Sequence, residues 1–492
     1  MRLSTLLSAL CDTPVPDCEI RNVTDDTRKA KSNSLFVCVR GARFDGHALA
    51  IRAYENGCRC FLAEHPLNLP KDALVTLTQN TRHALSLLAC AFFDHPSKKM
   101  KVIGVTGTKG KTTTAQLIRG ILQKNGIPTG YIGTNGILYG NVKLHTDNTT
   151  PHPLVLQQTL SDMYEHGMQA VIIEVSSQAI LQSRVDGMAF EGAVFTNLSL
   201  DHVGPTEHES FENYKECKHR LFTDFGIKTA VWNADDPHHR EMMMGCVAKH
   251  NVFYATLNGD ADFRGTDILP CQSSQALGIA FSVCHKNESF HATLPLVGLC
   301  NVSNALSAIA VACEMFGITP QKSAASLIDL RVDGRSECYP LPSGAMAVID
   351  YAHNEESLRS ILTALRAYTP SRLLCLFGSV GERSQLRRRA LGSVASELAD
   401  FSVITSDNPG NEPPCNIINE IAEAFPSDTA YKKIPDRKDA IAYAVHIANK
   451  GDILLLAGKG HETYQQIGIE KISFDERQIL CELSAPQKSA TD

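Results

Sequence analysis

Residues 101–126, KVIGVTGTKGKTTTAQLIRGILQKNG, move from an apolar run through a glycine-rich turn directly into helical spacing. No other stretch limits the fold as tightly. An uninterrupted apolar run of this kind is a strand buried on both faces, and such strands belong to parallel sheets whose crossover helices cover both sides. The glycines let backbone N–H groups turn inward, and the helix start adds partial positive charge, so the turn suits a phosphate. Lys111 falls where an amine reaches terminal phosphates, and Thr112 where a hydroxyl helps hold Mg²⁺. Gly107, Thr108, Lys109, Gly110, Lys111, Thr112 and Thr113 are therefore the candidate nucleotide loop. The strict GxxxxGK[ST] pattern is missed by one place, because residue 105 is valine. A solvent-exposed strand-to-helix turn is the plain alternative.

The same alternation continues in AVIIEVSS (170–177), GAVFTNLS (192–199), AVWNADD (230–236) and the helical NVSNALSAIAVACEMFG (301–317). After VDGRSE (332–337) come MAVIDYA, SRLLCLFGS, FSVITSD and GDILLLAGK, again divided by helical periods. Residues 1–98 mix short apolar runs, SLFVCV and CRCFLAE, with turns and the helix-like TRHALSLLACAFF; HPSKKM (95–100) reads as a polar linker. A chain of 492 residues exceeds the size of a single core. The expected architecture is α/β in three domains: a small N-terminal α/β domain (1–98), a central P-loop ATPase-like, mostly parallel sheet (99–334) and a Rossmann-like C-terminal α/β domain (335–492).

A net charge of -6 offers no basic excess to displace counterions, so nucleic acid is not an expected partner. No apolar run is read as crossing a bilayer, and MRLSTLLSALCD is read as a short helix rather than a signal peptide, because Asp12, Pro14 and Pro16 follow at once. The sixteen cysteines are scattered along the chain and are expected to be reduced, mostly buried small hydrophobes, as in a cytoplasmic protein.

Two further features carry chemistry. Glu174 closes four apolar residues, where a charge is expensive to bury without a partner. Asp201-His202 closes FTNLSLDH, so a carboxylate and an imidazole at strand ends could complete a Mg²⁺ or Mn²⁺ site beside a triphosphate. A surface histidine is the plain alternative for His202. The segment HESFENYKECKHRLF reads as a helix with Tyr214 and Lys218 four apart on one face; a salt-bridged lysine on a wet helix would have the same spacing.

Taken together, GTKGKTTT, EVSS, TNLSLDH, ENYKECK, NVSNALSAIA, DGRSE, DYAHN, SDNP and GKGHETYQ resemble the Mur ligase family over essentially the whole chain, more loosely in its first 95 or so residues. The closest resemblance is to the branch that adds the third amino acid to UDP-N-acetylmuramoyl-L-alanyl-D-glutamate. It implies an ATP-dependent ligase of peptidoglycan precursor synthesis, cytoplasmic and monomeric. Such an enzyme forms an acyl phosphate on the D-glutamate side chain, which an amine then attacks. By the resemblance, Lys111 holds the β/γ-phosphates, Thr112 and Glu174 one Mg²⁺, and His202 a second. Lys218 falls on the lysine that CO₂ carbamylates. Asn304 lies near adenine, while Arg335, Asp350 and His353 contact the nucleotide. Ser34 matches the uridine-diphosphate domain. Thr149, Thr150, Ser177 and Arg184 meet the muramyl-peptide, and Asp407, Asn408, Pro409, Gly458 and Glu462 meet the incoming amino acid.

Which amino acid is added turns on residue 410. Members adding meso-diaminopimelate commonly read DNPR, whose arginine clamps the distal carboxylate, whereas this chain reads DNPG. Loss of a bidentate pair favours L-lysine, whose ammonium would suit Asp407, Glu412 or Glu462. The alternative is meso-diaminopimelate or another amino acid, with Arg383 or Arg387 reaching in. Gln178, His152 and Asn354 also depart from the usual His, acidic residue and Thr. Two rival classes are a folate-type polyglutamate ligase, opposed by the extra N-terminal domain and GKGHETYQ, and a non-catalytic nucleotide-gated scaffold, opposed by the intact set Lys111, Thr112, Glu174, His202 and Lys218.

Overall fold

The computed structural model describes residues 1–8, 10, 17–41, 44–201, 204, 207–382 and 385–484. It divides into two compact units, Met1–Asp262 with Ser307–Ile318, and Phe263–Leu306 with Thr319–Asp492. The α/β class read from the sequence is observed in both units.

The first unit opens with a four-stranded parallel sheet in chain order: β1 (Asn22–Thr24), β2 (Ser34–Val37), β3 (Cys60–Ala63) and β4 (Leu74–Leu77). The helix Thr81–Phe92 buries Ala84, Leu85 and Leu88 against it, and Asn80 caps that helix by accepting from the Arg82 and His83 N–H groups. The segment expected to be a polar linker instead forms a 3-10 turn, Pro96–Lys98, with Pro96 and Ser97 buried; the Ser97 hydroxyl accepts from Ala189 N–H.

Among the described residues eight strands follow in this unit: β5 (Lys101–Thr106), β6 (Thr129–Gly133), β7 (Gly136–Tyr139), β8 (Val142–Leu144), β9 (Ala170–Glu174), β10 (Gly192–Phe195), β11 (Thr229–Asn233) and β12 (His250–Ala255). Their order is β12-β11-β10-β5-β9-β6-β7-β8, parallel as far as β6 and antiparallel from β6 to β8. β5, β9, β10 and β11 are buried almost throughout, as apolar strands covered on both faces must be. The chain leaves β5 with β9 on one side and β10 on the other, so the loop after β5 opens where the strand order reverses, the usual ligand crevice of an open sheet.

The second unit begins with an antiparallel ladder, β13 (Phe263–Gln272), β14 (Leu277–His285) and β15 (Glu288–Leu294). Its main sheet contains β16 (Glu337–Pro340), β17 (Met346–Asp350), β18 (Leu373–Phe377), β19 (Phe401–Ile404), β20 (Tyr431–Lys433) and β21 (Ile453–Ala457) in the order β16-β17-β21-β18-β19-β20, antiparallel only at β16. A hairpin, β22 (Tyr464–Ile467) and β23 (Glu470–Ser473), follows. Asn354, the departure from Thr, caps the helix Glu355–Arg366 in a reciprocal capping box with Ser357.

Two expectations are corrected here. The helix Leu299–Phe316 is long and apolar enough to cross a membrane by length and composition, although 67% of it is buried within the fold, as a core helix would be. Of the cysteines expected to be mostly buried, Cys38, Cys58, Cys60, Cys90, Cys217 and Cys375 are, whereas Cys300, Cys415 and Cys481 are exposed.

Candidate active site

In the first unit the site begins at the carboxyl end of β5. Gly107 has φ +148°, and a Cβ there would run into the Thr196 hydroxyl, so only glycine permits this approach. Gly110, at φ +81°, opens the helix Lys111–Lys124 without a side-chain cap, which leaves the first-turn N–H groups directed at the crevice. The loop is fastened from behind: Thr108 N–H donates to Asn197 O (2.8 Å), and Lys109 N–H donates to Asn197 Oδ1 (2.8 Å). Thr196 Oγ1 and Asn197 Nδ2 donate to Lys109 O, at 2.6 and 3.1 Å. The Lys111 amine spans the loop, donating to Gly107 O at 2.8 Å and Thr108 O at 3.0 Å. Lys109 pairs with Asp201 at 2.8 Å.

Glu174, fully buried at the end of β9, has the partners its position demands. Its Oε2 accepts from Thr112 Oγ1 (2.9 Å) and Thr134 Oγ1 (3.2 Å); its Oε1 accepts from the Tyr131 hydroxyl and from Thr134 N–H (3.0 Å). A Cβ on Gly133 would collide with this carboxylate. Among the described residues no three His, Cys, Asp or Glu side chains gather as a metal cluster. A hydroxyl and one carboxylate beside a phosphate-type loop are instead the oxygen donors suited to Mg²⁺, which keeps water and phosphate oxygens as its other ligands. His202 lies outside the described residues.

Lys218, on the helix Phe211–Thr223, is fully buried. Its amine donates to Gly107 O at 2.8 Å and lies 4.3 Å from the Tyr214 ring centroid, so the two residues share the face read from the sequence. The wet, salt-bridged alternative does not apply: among the described residues it forms no ion pair. Burial, reinforced by the Lys111 charge, pushes the Lys218 amine well below the usual lysine range. The Tyr214 hydroxyl donates to Thr108 Oγ1 at 3.1 Å, tying this helix to the glycine loop.

Thr149, Thr150, Ser177 and Arg184 gather around the same strand end. Thr150 Oγ1 donates to Glu174 O (2.7 Å), Thr149 and Thr134 hydroxyls meet at 3.1 Å, and Arg184 donates to Thr150 O (2.8 Å). Ser177 contacts His208 at 2.9 Å. Thr113 is buried in the helix after the loop. Ser34 is buried at the start of β2, where its hydroxyl accepts from Asn22 Nδ2 (3.1 Å) and Lys31 N–H (3.2 Å), so its side chain is engaged within the first sheet.

In the second unit Asp350 ends β17, buried, and accepts from Ser336 and Ala352 N–H groups, each at 2.9 Å. Burial raises its carboxyl, partly offset by Arg335. The Arg335 guanidinium lies 5.1 Å from the Tyr351 ring centroid, and His353 Nδ1 lies 2.7 Å from Tyr351 O. Asn304 donates to Asn301 Oδ1 at 3.0 Å.

The loops after β19 and β21 are joined by Lys459, wholly buried inside GKGHETYQ yet not singled out from the sequence. Its amine donates to Glu462 Oε2 (2.7 Å) and Asn408 Oδ1 (2.8 Å) and lies 3.8 Å from Asp407. Asn408 Nδ2 donates to Glu462 at 3.0 Å. Gly458 has φ +112°, and a Cβ there would stand 2.8 Å from Asp407 Oδ2. Pro409 leads into Gly410 (φ +59°), whose N–H donates to Gln466 O at 3.2 Å. Glu412 faces Arg388 at 2.6 Å. Arg387 donates to His353 O at 2.8 Å, and Arg383 lies outside the described residues.

Family models match three stretches: "Mur ligase family, catalytic domain" over residues 19–93, "Mur ligase middle domain" over 105–312 and "Mur ligase, glutamate ligase domain" over 334–460. The chain is 36% identical over 493 residues to the UDP-N-acetylmuramoyl-L-alanyl-D-glutamate–2,6-diaminopimelate ligase of Bacillus cereus, covering 98% of each chain. It is 37% identical over 497 residues to the ligase of the same name from Geobacillus kaustophilus, covering 97% of this chain and 98% of that one. A solved structure of a ligase of that name superposes with a TM-score of 0.72 at 27% identity, covering 98% of both chains.

These relatives overturn the expectation of the lysine-adding branch, since each carries 2,6-diaminopimelate in its name across an end-to-end match. The structure supplies a physical reason as well. The carboxylates proposed to receive a lysine ammonium already face cations of the protein itself: Asp407 and Glu462 face Lys459, and Glu412 faces Arg388.

Proposed function

The chain belongs to the Mur ligase family, an ATP-dependent acid–amino acid ligase family, and on that premise we propose that it joins meso-diaminopimelate to the D-glutamate side-chain carboxylate of UDP-N-acetylmuramoyl-L-alanyl-D-glutamate. The observation that carries the reading is the Thr112–Glu174 pair beside the lysine-spanned glycine loop, in a chain whose relatives match end to end. A carboxylate oxygen is a poor leaving group toward an amine. Transfer of the ATP γ-phosphoryl group to that oxygen makes an acyl phosphate and ADP. The amine then adds to the carbonyl carbon, loses its proton, and expels phosphate as the amide forms.

Lys111 is the cation for the terminal phosphates, and the N–H groups from Gly110 onward cradle them. Thr112 and Glu174 would hold Mg²⁺, which neutralises charge on the transferring phosphoryl group. Thr149, Thr150, Ser177 and Arg184 orient the muramyl-peptide. Asp407, Asn408, Gly458 and Glu462, braced by Lys459, orient the amino acid.

Lys218 is assigned to carbamylation. A neutral amine attacks CO₂, a C–N bond forms as one C=O π bond becomes an oxyanion, and the nitrogen proton leaves to solvent. Burial that favours the neutral amine supports this. The product is a carboxylate-like group that would serve, with His202, a second Mg²⁺.

The test is ADP release. It is expected to require the UDP-dipeptide and meso-diaminopimelate together, and Lys111→Ala is expected to abolish it while the circular dichroism spectrum is unchanged. ADP formed at wild-type rates by a folded Lys111→Ala protein would refute the assignment.

A further inference from the structure

His208, one histidine among eighteen, opens the segment read from the sequence as a helix; the helix begins instead at Phe211, and His208 precedes it wholly buried. Both ring nitrogens are engaged. Nδ1 lies 2.8 Å from Asn213 Oδ1, and Nε2 lies 2.9 Å from the Ser177 hydroxyl. The backbone at Asn213 is held by its N–H, which donates to Ser210 Oγ at the cap of the helix Phe211–Thr223, and the side chain presents its Oδ1 to the ring. With an amide oxygen on Nδ1, that nitrogen carries the proton, Nε2 is the acceptor, and Ser177 donates its O–H to it. The Ser177 oxygen is then left with lone pairs and no proton to give. Ser177 opens the short helix Ser177–Leu181, three residues beyond Glu174. It adjoins Ser176, whose N–H donates to Thr150 Oγ1 at 3.1 Å, in the loop whose Thr150 carbonyl takes the Arg184 guanidinium.

We propose that His208, oriented by Asn213, is a positioning residue that locks the Ser177 hydroxyl as a hydrogen-bond acceptor, so that this point of the site reads an N–H of the bound muramyl-peptide and disfavours a carboxylate oxygen. The inference rests on the muramyl-peptide reading above. It adds a polarity to that pocket: Thr150 and Ser176 are engaged with each other and with the strand end, and Ser177 is the hydroxyl whose proton is committed elsewhere.

Steady-state kinetics of the full chain test it, with His208→Leu, His208→Gln and Ser177→Ala measured for the UDP-dipeptide and for ATP separately. Loss of one hydrogen bond at a buried site predicts that His208→Leu and Ser177→Ala each raise the KM for the UDP-dipeptide about tenfold, with the KM for ATP and kcat changed less than about twofold. His208→Gln, whose amide oxygen can accept from Ser177, is expected to stay within about threefold of wild type. The double variant Ser177→Ala/His208→Leu is expected to be no worse than either single one, because the two act as one unit. A purely structural histidine predicts otherwise: equal losses for ATP and UDP-dipeptide, His208→Gln as damaged as His208→Leu, or a silent Ser177→Ala. Any of these overturns the inference while leaving the ligase reading intact, whereas a wild-type chain with no UDP-dipeptide-dependent turnover removes both.

Discussion

Replacing Lys459 by methionine keeps most of the side-chain volume and removes the charge that joins the two loops of the second unit. Lys459 is wholly buried and sits 2.7 Å from Glu462 Oε2, 2.8 Å from Asn408 Oδ1 and 3.8 Å from Asp407 Oδ1. Those two carboxylates are 14% and 3% exposed, so water cannot take the place of the ammonium. Breaking a buried pair from one side leaves uncompensated charge and costs about 3–5 kcal/mol. For a unit of this size that corresponds to a fall in melting temperature of about 6–20 °C. The protein has a single tryptophan, Trp232, buried in the first unit, 4.3 Å from the Phe222 ring. Its fluorescence therefore reports one unit, while far-ultraviolet circular dichroism reports both. Lys459→Met is expected to lower the melting transition seen by circular dichroism and to leave the Trp232 transition in place, and adding Glu462→Gln is expected to restore at least half the loss. A shift below about 2 °C would refute the reasoning, as would a double variant no better than the single one.

Three further outcomes follow from the first unit. Gly133→Ala puts a methyl group into the Glu174 carboxylate, and is expected to abolish ADP formation and to destabilise by about 1–3 kcal/mol in urea titration. Lys218 has a folded-state pKa below its unfolded value, so the unfolded chain binds more protons between the two, and stability rises with pH there. In CO₂-free buffer Lys218→Met is consequently expected to be more stable than wild type, by a margin that grows as pH falls from about 10, while losing ligation. A margin that widens with rising pH would contradict the assignment. Restoration of turnover in Lys218→Ala by added short carboxylates is expected if a carbamate is the working form.

How much of this was legible in the sequence depended on whether a residue's partner lay in its own stretch. Uninterrupted apolar runs such as ILLLA identify β21 because a strand covered on both faces has no polar side to show. The partnership of Thr112 with Glu174, 62 positions apart, was foreseeable in kind: a carboxylate ending an apolar strand needs a partner, and the phosphate loop offers one. The ladder β13-β14-β15 was missed. Its exposure alternates irregularly and its register shifts between Thr266 and Leu269, so no clean period of two appears. His208 and Lys459 give no sufficient local signal either: each has one near partner, Asn213 or Glu462, but the partner that defines its role, Ser177 or Asn408, lies 31 or 51 residues away. Substrate identity is the least legible part, because the side chain missing at 410 is one among charges that other loops arrange.

The central claim is most directly tested by the mass of the product. Purified protein with ATP, Mg²⁺ and UDP-N-acetylmuramoyl-L-alanyl-D-glutamate is given meso-diaminopimelate, L-lysine and L-ornithine in competition, and the nucleotide-sugar peptide is weighed. A peptide lengthened by diaminopimelate is expected, with one ADP formed per bond. A product carrying lysine or ornithine in preference, or ADP formed with no lengthened peptide, would contradict it.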